Sequence, residues 1–170
     1  MLDIVSLEMM RSELIDTLVA GFNRDILLVD ESSDMITVTV SFSVIHDVIR
    51  FLKNKEGFDF LTDLTGVHYP DQELALGVVY HMHNLRKNIR IRIKTFVSLD
   101  NPSLKSVTDL FSAANWMERE TYDFYGILFE GHPNLKRILN VEYMDYYPMR
   151  KEYPLEDSTR DDKDDRYFGR

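Results

Sequence analysis

The sequence predicts an α+β fold: an antiparallel sheet covered by helices on one face, with an extended C-terminal arm. Three observations point there. Ile89, Ile91 and Ile93 alternate with Arg90, Arg92 and Lys94, the period of a strand with one buried and one solvated face. Residues 7–19 and 44–55 instead repeat apolar positions every three or four residues, as helices covering one side of a sheet do. Beyond Asn140 both rhythms stop, and the chain turns to tyrosine, proline and mixed charge.

Taken in order, Leu7, Met10, Leu14 and Leu18 define an opening amphipathic helix, with Ser6 as its N-cap and Gly21 as its stop. Residues 26–30 and 35–42 read as two strands around the turn Glu31-Ser32-Ser33-Asp34, the second alternating Ile36, Val38, Val40 and Phe42 against Thr and Ser. Ser43 should cap a second helix, whose stripe is Val44, Ile45, Val48, Ile49 and Leu52 and whose end is Gly57. An irregular strand at 58–69 follows, then after Pro70 two further strands separated by Arg86-Lys87-Asn88. A helical reading returns from Val107 to Phe124, with Asn115 as its cap and Gly126 available as the left-handed residue beyond its end. Pro133 then suits the first position of a short helix over residues 135–139.

A chain of 170 residues suits one domain plus an extension. The expected division is 1–140 for the α+β domain and 141–170 for the arm. Tyr143, Tyr146, Tyr147, Tyr153 and Tyr167 place five of nine tyrosines in that arm, too aromatic a composition for a merely solvated tail. Docking on a partner protein fits better than the alternative, a tail folded back over its own sheet.

Composition removes several functions. A net charge of −9 and no basic, aromatic-interleaved run argue against nucleic acid. No stretch approaches the roughly 20 apolar residues of a membrane helix, and residues 1–10 lack the basic and apolar regions of a signal peptide, so a cytosolic location is expected. With no cysteine, the chain offers neither disulfides, thiol nucleophiles nor the usual ligands of iron–sulfur clusters. Seven glycines draw no phosphate-binding loop.

Residues 116–139 are the densest in chemistry. On a helix, Trp116, Glu120 and Asp123 share a face, with Arg119 one turn from Asp123. Such carboxylates could form an acid/base pair with His132 near, but they equally form a charged knot with Arg119 and Arg137, and no nucleophile motif completes a catalytic set. His81 and His83 project from one strand face, yet a catalytic metal normally takes a third protein ligand, and none has matching spacing. No catalytic, cofactor-binding or metal residue is therefore assigned. A structural knot at an interface is the better reading, since buried charges must be paired or cost several kcal/mol each.

The pattern Trp116-x-Glu118-Arg119-Glu120-x-x-Asp123-x-x-Gly126-Ile127-x-Phe129-x-Gly131-His132-Pro133-x-Leu135-x-Arg137-Ile138-Leu139 resembles the diagnostic motif of the 30 kDa subunit of proton-pumping NADH–quinone oxidoreductase, respiratory complex I. Residues 60–70, 78–82, 106–116 and 148–155 resemble the same family in the same order, so the likeness runs from about Phe51 to Leu155. Lys136 stands where arginine is more usual, and Tyr147 precedes Pro148 where histidine is expected. The resemblance implies a non-catalytic structural subunit of the hydrophilic arm, supporting electron transfer from NADH to quinone. It implies no cofactor in this chain, with FMN, iron–sulfur clusters and quinone in partner subunits. Partners would be the large 49 kDa-like subunit and neighbouring iron–sulfur subunits, with membrane association only through the complex, at the cytoplasmic side of the bacterial inner membrane.

On this reading Glu118, Arg119, Glu120, Asp123 and Arg137 form the paired-charge knot, while Trp116, Gly126, His132 and Pro133 fix backbone and packing. Tyr143, Tyr147, Arg150, Lys151 and Tyr153 would carry docking. Two rivals stand beside it: an equivalent subunit of a hydrogenase- or ferredoxin-linked membrane complex, and a stand-alone acid/base enzyme using Glu120, Asp123 and His132.

Overall fold

The structure is a computed structural model that describes residues 4–32 and 35–154. Helix α1 (Ile4–Phe22) leads through a short 3₁₀ turn into strand β1 (Ile26–Asp30), which pairs antiparallel with β2 (Ile36–Val40). Helix α2 (Ile45–Asn54) is followed by β3 (Phe60–His68), β4 (Leu76–Asn84) and β5 (Ile89–Val97), an antiparallel meander. A second, two-stranded sheet joins β6 (Ser103–Lys105) to β7 (Leu128–Glu130), with α3 (Ala114–Tyr125) between them in sequence.

The main sheet runs β1-β2-β5-β4-β3, and β2 lies parallel to β5. The expectation of an antiparallel sheet therefore holds for every pair of that sheet but one. The parallel pair arises because α2, β3 and β4 intervene between β2 and β5 and return the chain in the same direction.

Register explains the two faces. Ile36 and Val38 align with Ile91 and Ile93, which align in turn with Met82 and Tyr80. All are buried, and they form one core with Leu14 and Leu18 of α1, the Ile45/Val48/Ile49/Leu52 stripe of α2, and Ala114 of α3. The opposite face carries Asp63, His81, Arg90, Arg92 and Lys94 in matching register. Removing any one of these large core side chains would cost about 2–5 kcal/mol.

Several boundaries differ from expectation. Ser6 lies inside α1 and Gly21 in its last turn; the side chain of Leu7 is outside the described residues. Ser43 does not cap α2: its hydroxyl meets that of Ser41 at 2.9 Å within a 3₁₀ turn, Phe42–Val44, which also takes Phe42 out of the strand and leaves it exposed. Residues 107–113 are turns rather than helix, and Asn115 is inside α3. Residues 135–139 are not helical, for a reason given below. Gly57 and Gly126 do hold the left-handed conformation that ends α2 and α3, each with φ of 75°.

The segment 141–153 is not an extended arm leaving the domain. It folds back along the C-terminal end of α3 and reaches the end of β3, where the Lys151 amide donates to His68 Nδ1 at 2.9 Å. Tyr167 and the rest of 155–170 lie outside the described residues.

Candidate functional site

Helix α3 carries two carboxylates with no exposed surface, Glu118 and Asp123. Asp123 sits one turn before the left-handed Gly126 and faces the returning chain. Its Oδ2 accepts the amides of Ile138, Leu139 and Asn140 at 3.1, 2.8 and 2.9 Å, and its Oδ1 accepts Arg137 Nη1 at 2.8 Å and Asn140 Nδ2 at 3.1 Å. Burial alone would raise this carboxyl, but the Asn140 amide, Arg137 and the two further amides outweigh it and hold the group well below the usual carboxylate range. Three consecutive amides committed to one carboxylate cannot make helical bonds. That is why residues 135–139 fail to form a helix despite Pro133.

Arg137 extends the same lacing. Its Nη1 also donates to the Asp123 carbonyl at 2.8 Å, and its Nη2 donates to the carbonyls of Met144 at 2.8 Å and Tyr146 at 3.0 Å. Its guanidinium lies 5.1 Å from the centre of the Tyr147 ring, with Arg150 4.7 Å from that ring. A Cβ on Gly126 would meet Tyr147 at 2.5 Å, so glycine serves both the turn and the ring's approach. Tyr147 is thus seated on its own domain. Arg150 Nε donates to the Tyr125 carbonyl at 2.8 Å, fastening the segment again.

The other motif residues divide. Arg119 donates to the carbonyls of Lys136 and Arg137, so it holds backbone rather than a carboxylate. His132 bonds across a turn: the Asn134 amide donates to Nδ1 at 3.0 Å, and Nε2–H donates to the Asn115 carbonyl at 3.1 Å. Pro133 is exposed beside it. Glu118 is not paired with arginine: it accepts the Val107 amide and the Ser106 hydroxyl, both at 2.7 Å. Burial pushes it up to about 7, against those two bonds. Glu120 is exposed and, among the described residues, has no hydrogen bond or ion pair. Trp116 is 60% exposed, on the surface of α3. Sequence reading missed Ser106, Asn140 and the buried His46, whose Nε2 lies 2.9 Å from Asp109; Ser106 and Asp109 stood within the motif-like stretch 106–116, the signal that could have found them.

These facts do not assemble an acid/base set. Asp123 is sealed and fully bonded, Glu120 faces out near Thr65 and Met149, and His132 is spent on backbone near the start of α3. The His81 and His83 pair is likewise occupied. Burial, then Arg92, lowers the His81 pKa, and its Nε2 accepts Arg92 Nε at 2.8 Å, while His83 bonds Asn88 at 3.2 Å. Among the described residues no three His, Cys, Asp or Glu are grouped to hold a metal ion, and no helix is long and apolar enough to cross a membrane.

What this arrangement achieves is the fastening of a segment to a domain, and the sequence comparison matches it to a known family. The family model described as respiratory-chain NADH dehydrogenase, 30 Kd subunit, matches residues 38–159. The chain belongs to this family. It is 42% identical over 123 residues to the mitochondrial NADH dehydrogenase [ubiquinone] iron-sulfur protein 3 of Candida albicans, covering 71% of this chain and 44% of that one. It is 44% identical to an NADH-quinone oxidoreductase subunit of Chelativorans sp., covering 72% of this chain and 62% of that one. The chain therefore spans about half the length of these curated relatives. The same-named subunit of Citrifermentans bemidjiense is 40% identical, with 74% and 78% covered.

Solved structures agree on the 30 kDa fold. A trypsin-resistant fragment (1-134) of Nqo5 superposes with a TM-score of 0.64 at 29% identity, covering 74% of this chain and 99% of the fragment. A chain of the membrane-bound sulfane sulfur reductase, an archaeal respiratory membrane complex, superposes at 0.72 with 25% identity and 85% of each covered. Helix α1 and strand β1 precede the residues matched by the family model.

Proposed function

We propose that this chain is a non-catalytic structural subunit in the hydrophilic arm of an NADH–quinone oxidoreductase, one that holds its neighbours in register while they carry electrons. The observation that carries this reading is the use made of the family motif. Asp123, Arg119 and Arg137 are committed to fixing the chain's own residues 136–146 rather than held free to meet a substrate. The same fastening presents a row of apolar side chains to solvent: Leu139, Val141, Tyr143, Tyr146, Met149 and Tyr153 are all exposed. A set of this kind suits burial against another polypeptide.

Within that reading, docking belongs to 139–153 and to whatever follows, with Tyr143, 86% exposed, as its anchor. The neighbour in contact is the large 49 kDa-like subunit, beside the iron–sulfur subunits, and FMN, clusters and quinone reside in those partners. The chain sits peripherally at the cytoplasmic side of a bacterial membrane, held there by partners. A second reading keeps the role and changes the machine, an equivalent subunit of a related respiratory membrane complex; the likeness to the sulfane sulfur reductase chain favours it. Affinity purification of the tagged full-length chain from native membranes, beside Tyr143→Ala and a truncation after Asn140, tests both. Co-recovery of NADH-oxidising subunits with the full-length chain supports the first reading. Recovery of a complex lacking them supports the second, and recovery of no respiratory subunit from an extract holding intact complex overturns both.

A further inference from the structure

The 106–113 segment is fastened to α3 by a carboxylate that lacks the usual counter-charge. Glu118 has no exposed surface, and it accepts only two hydrogen bonds, from the Val107 amide to Oε1 and the Ser106 hydroxyl to Oε2. Among the described residues, no cation forms an ion pair with it. The charges facing it make matters worse rather than better. From its own connecting segment Asp109 contributes a like charge, and from β4 the wholly buried Tyr80 is the nearby titratable group, its hydroxyl without a partner. On α2 the nearby polar groups are engaged elsewhere: His46 bonds Asp109, and Lys53 donates to the Leu110 carbonyl while lying over Phe111. A carboxylate placed so is expected to prefer its neutral form.

A route for the proton is present. Ser106 Oγ lies 2.8 Å from Thr108 Oγ1, and either hydroxyl can donate to the other. Thr108 is half-buried and lines a shallow surface depression with Asp109, Ser112, Asn115, Trp116 and Pro133. A continuous file of three oxygen-bearing side chains thus runs from the surface to the sealed carboxyl.

We propose that Glu118 is a proton-binding site, loaded from the depression beside Trp116 through the Thr108 and Ser106 hydroxyls. With the carboxylate ionised, Thr108 donates to Ser106 and Ser106 donates to Glu118 Oε2. On loading, a solvent proton bonds to Thr108 Oγ1, the Thr108 proton passes to Ser106 Oγ, and the Ser106 proton passes to Oε2. Both hydroxyls end neutral, the added proton resides on Glu118, and every bond in the file has reversed direction. Release runs the same steps backward. Burial acting on the carboxyl agrees with this assignment, placing its titration near neutrality. The site is independent of which complex the chain joins, because all of its groups lie within this domain.

The test is a titration of the full chain between pH 5 and 9, following the side-chain carboxyl carbon resonances of 13C-labelled glutamate together with the Val107 amide. The expected result is one glutamate and the Val107 amide moving together with a midpoint near neutrality, apart from the other glutamates, and absent in Glu118→Gln. Ser106→Ala should move that midpoint up by roughly one pH unit, since a donor to the ionised form is lost, and Asp109→Asn should move it down. A Glu118 that kept one protonation state across this range would respond to neither change. The proposal is overturned if Glu118 titrates with the other glutamates, keeps one protonation state throughout, or holds its midpoint in both variants. Should Glu118→Gln fail to fold, the unsubstituted chain with Ser106→Ala and Asp109→Asn still decides.

Discussion

Glu118 and Asp123 sit five residues apart on α3, equally sealed from solvent, yet their environments drive them in opposite directions. Burial acts first and in the same sense on both. Asp123 answers it with three amides, an arginine and an asparagine, while Glu118 has one amide and one hydroxyl. A buried carboxyl's state is therefore set by the count and charge of its donors, not by its depth. The first group fastens the structure permanently, and the second fastens it conditionally.

The hardest blow to this contrast is removal of the cation. Arg137→Ala leaves Asp123 buried without its charge partner and strips three carbonyls of their donor, at an expected cost of about 3–5 kcal/mol in urea unfolding. A loss under about 1 kcal/mol would mean the knot is not what holds residues 138–146.

Linkage to pH sharpens the contrast. The folded value for Glu118 lies above the ordinary 4.5, so the native chain binds more protons than the unfolded one in between, and stability falls as pH rises from there to about 7. For Asp123 the folded value lies below 3.8, so its contribution is complete above that and is lost as pH falls further. Glu118→Gln should match the parent near pH 4 and exceed it by on the order of 3 kcal/mol at pH 8, leaving the acid limb unchanged. Equal stability differences at both pH values would show that the two carboxylates are alike after all.

Smaller effects separate fastening from docking. Gly126→Ala forces a left-handed backbone and a collision with Tyr147, expected to cost about 1–3 kcal/mol in thermal unfolding. Tyr143→Ala should change stability by less than about 0.5 kcal/mol and still reduce recovery of partner subunits, because its ring meets solvent rather than the domain. A large stability loss there would reassign Tyr143 to the knot.

The strands were legible because alternation is local: Ile89, Ile91 and Ile93 declare their face without knowledge of any neighbour. Their partners were not, since the parallel pairing of Ile36 with Ile91 depends on where the chain returns after three intervening elements. Residues 135–139 read as helical from Pro133 and spacing, but side chains of α3 claim their amides and carbonyls, which no local pattern encodes. Asp123 and Arg137 stood out as a pair by charge and motif. Glu118 was wrongly grouped with them, because its partners are a backbone amide and a hydroxyl that carry no charge signature.

Asp123 also imposes an order on synthesis. Its amide partners lie 15 to 17 residues downstream, and Arg137 needs carbonyls still further along. While the chain emerges from the ribosome, α3 can coil and dock its apolar face, but it holds an open negative charge until residue 140 arrives. The contacts that close the last layer of the domain therefore wait for the residues that follow α3. A nascent chain stalled at residue 135 would display that unanswered carboxylate to the quality-control machinery.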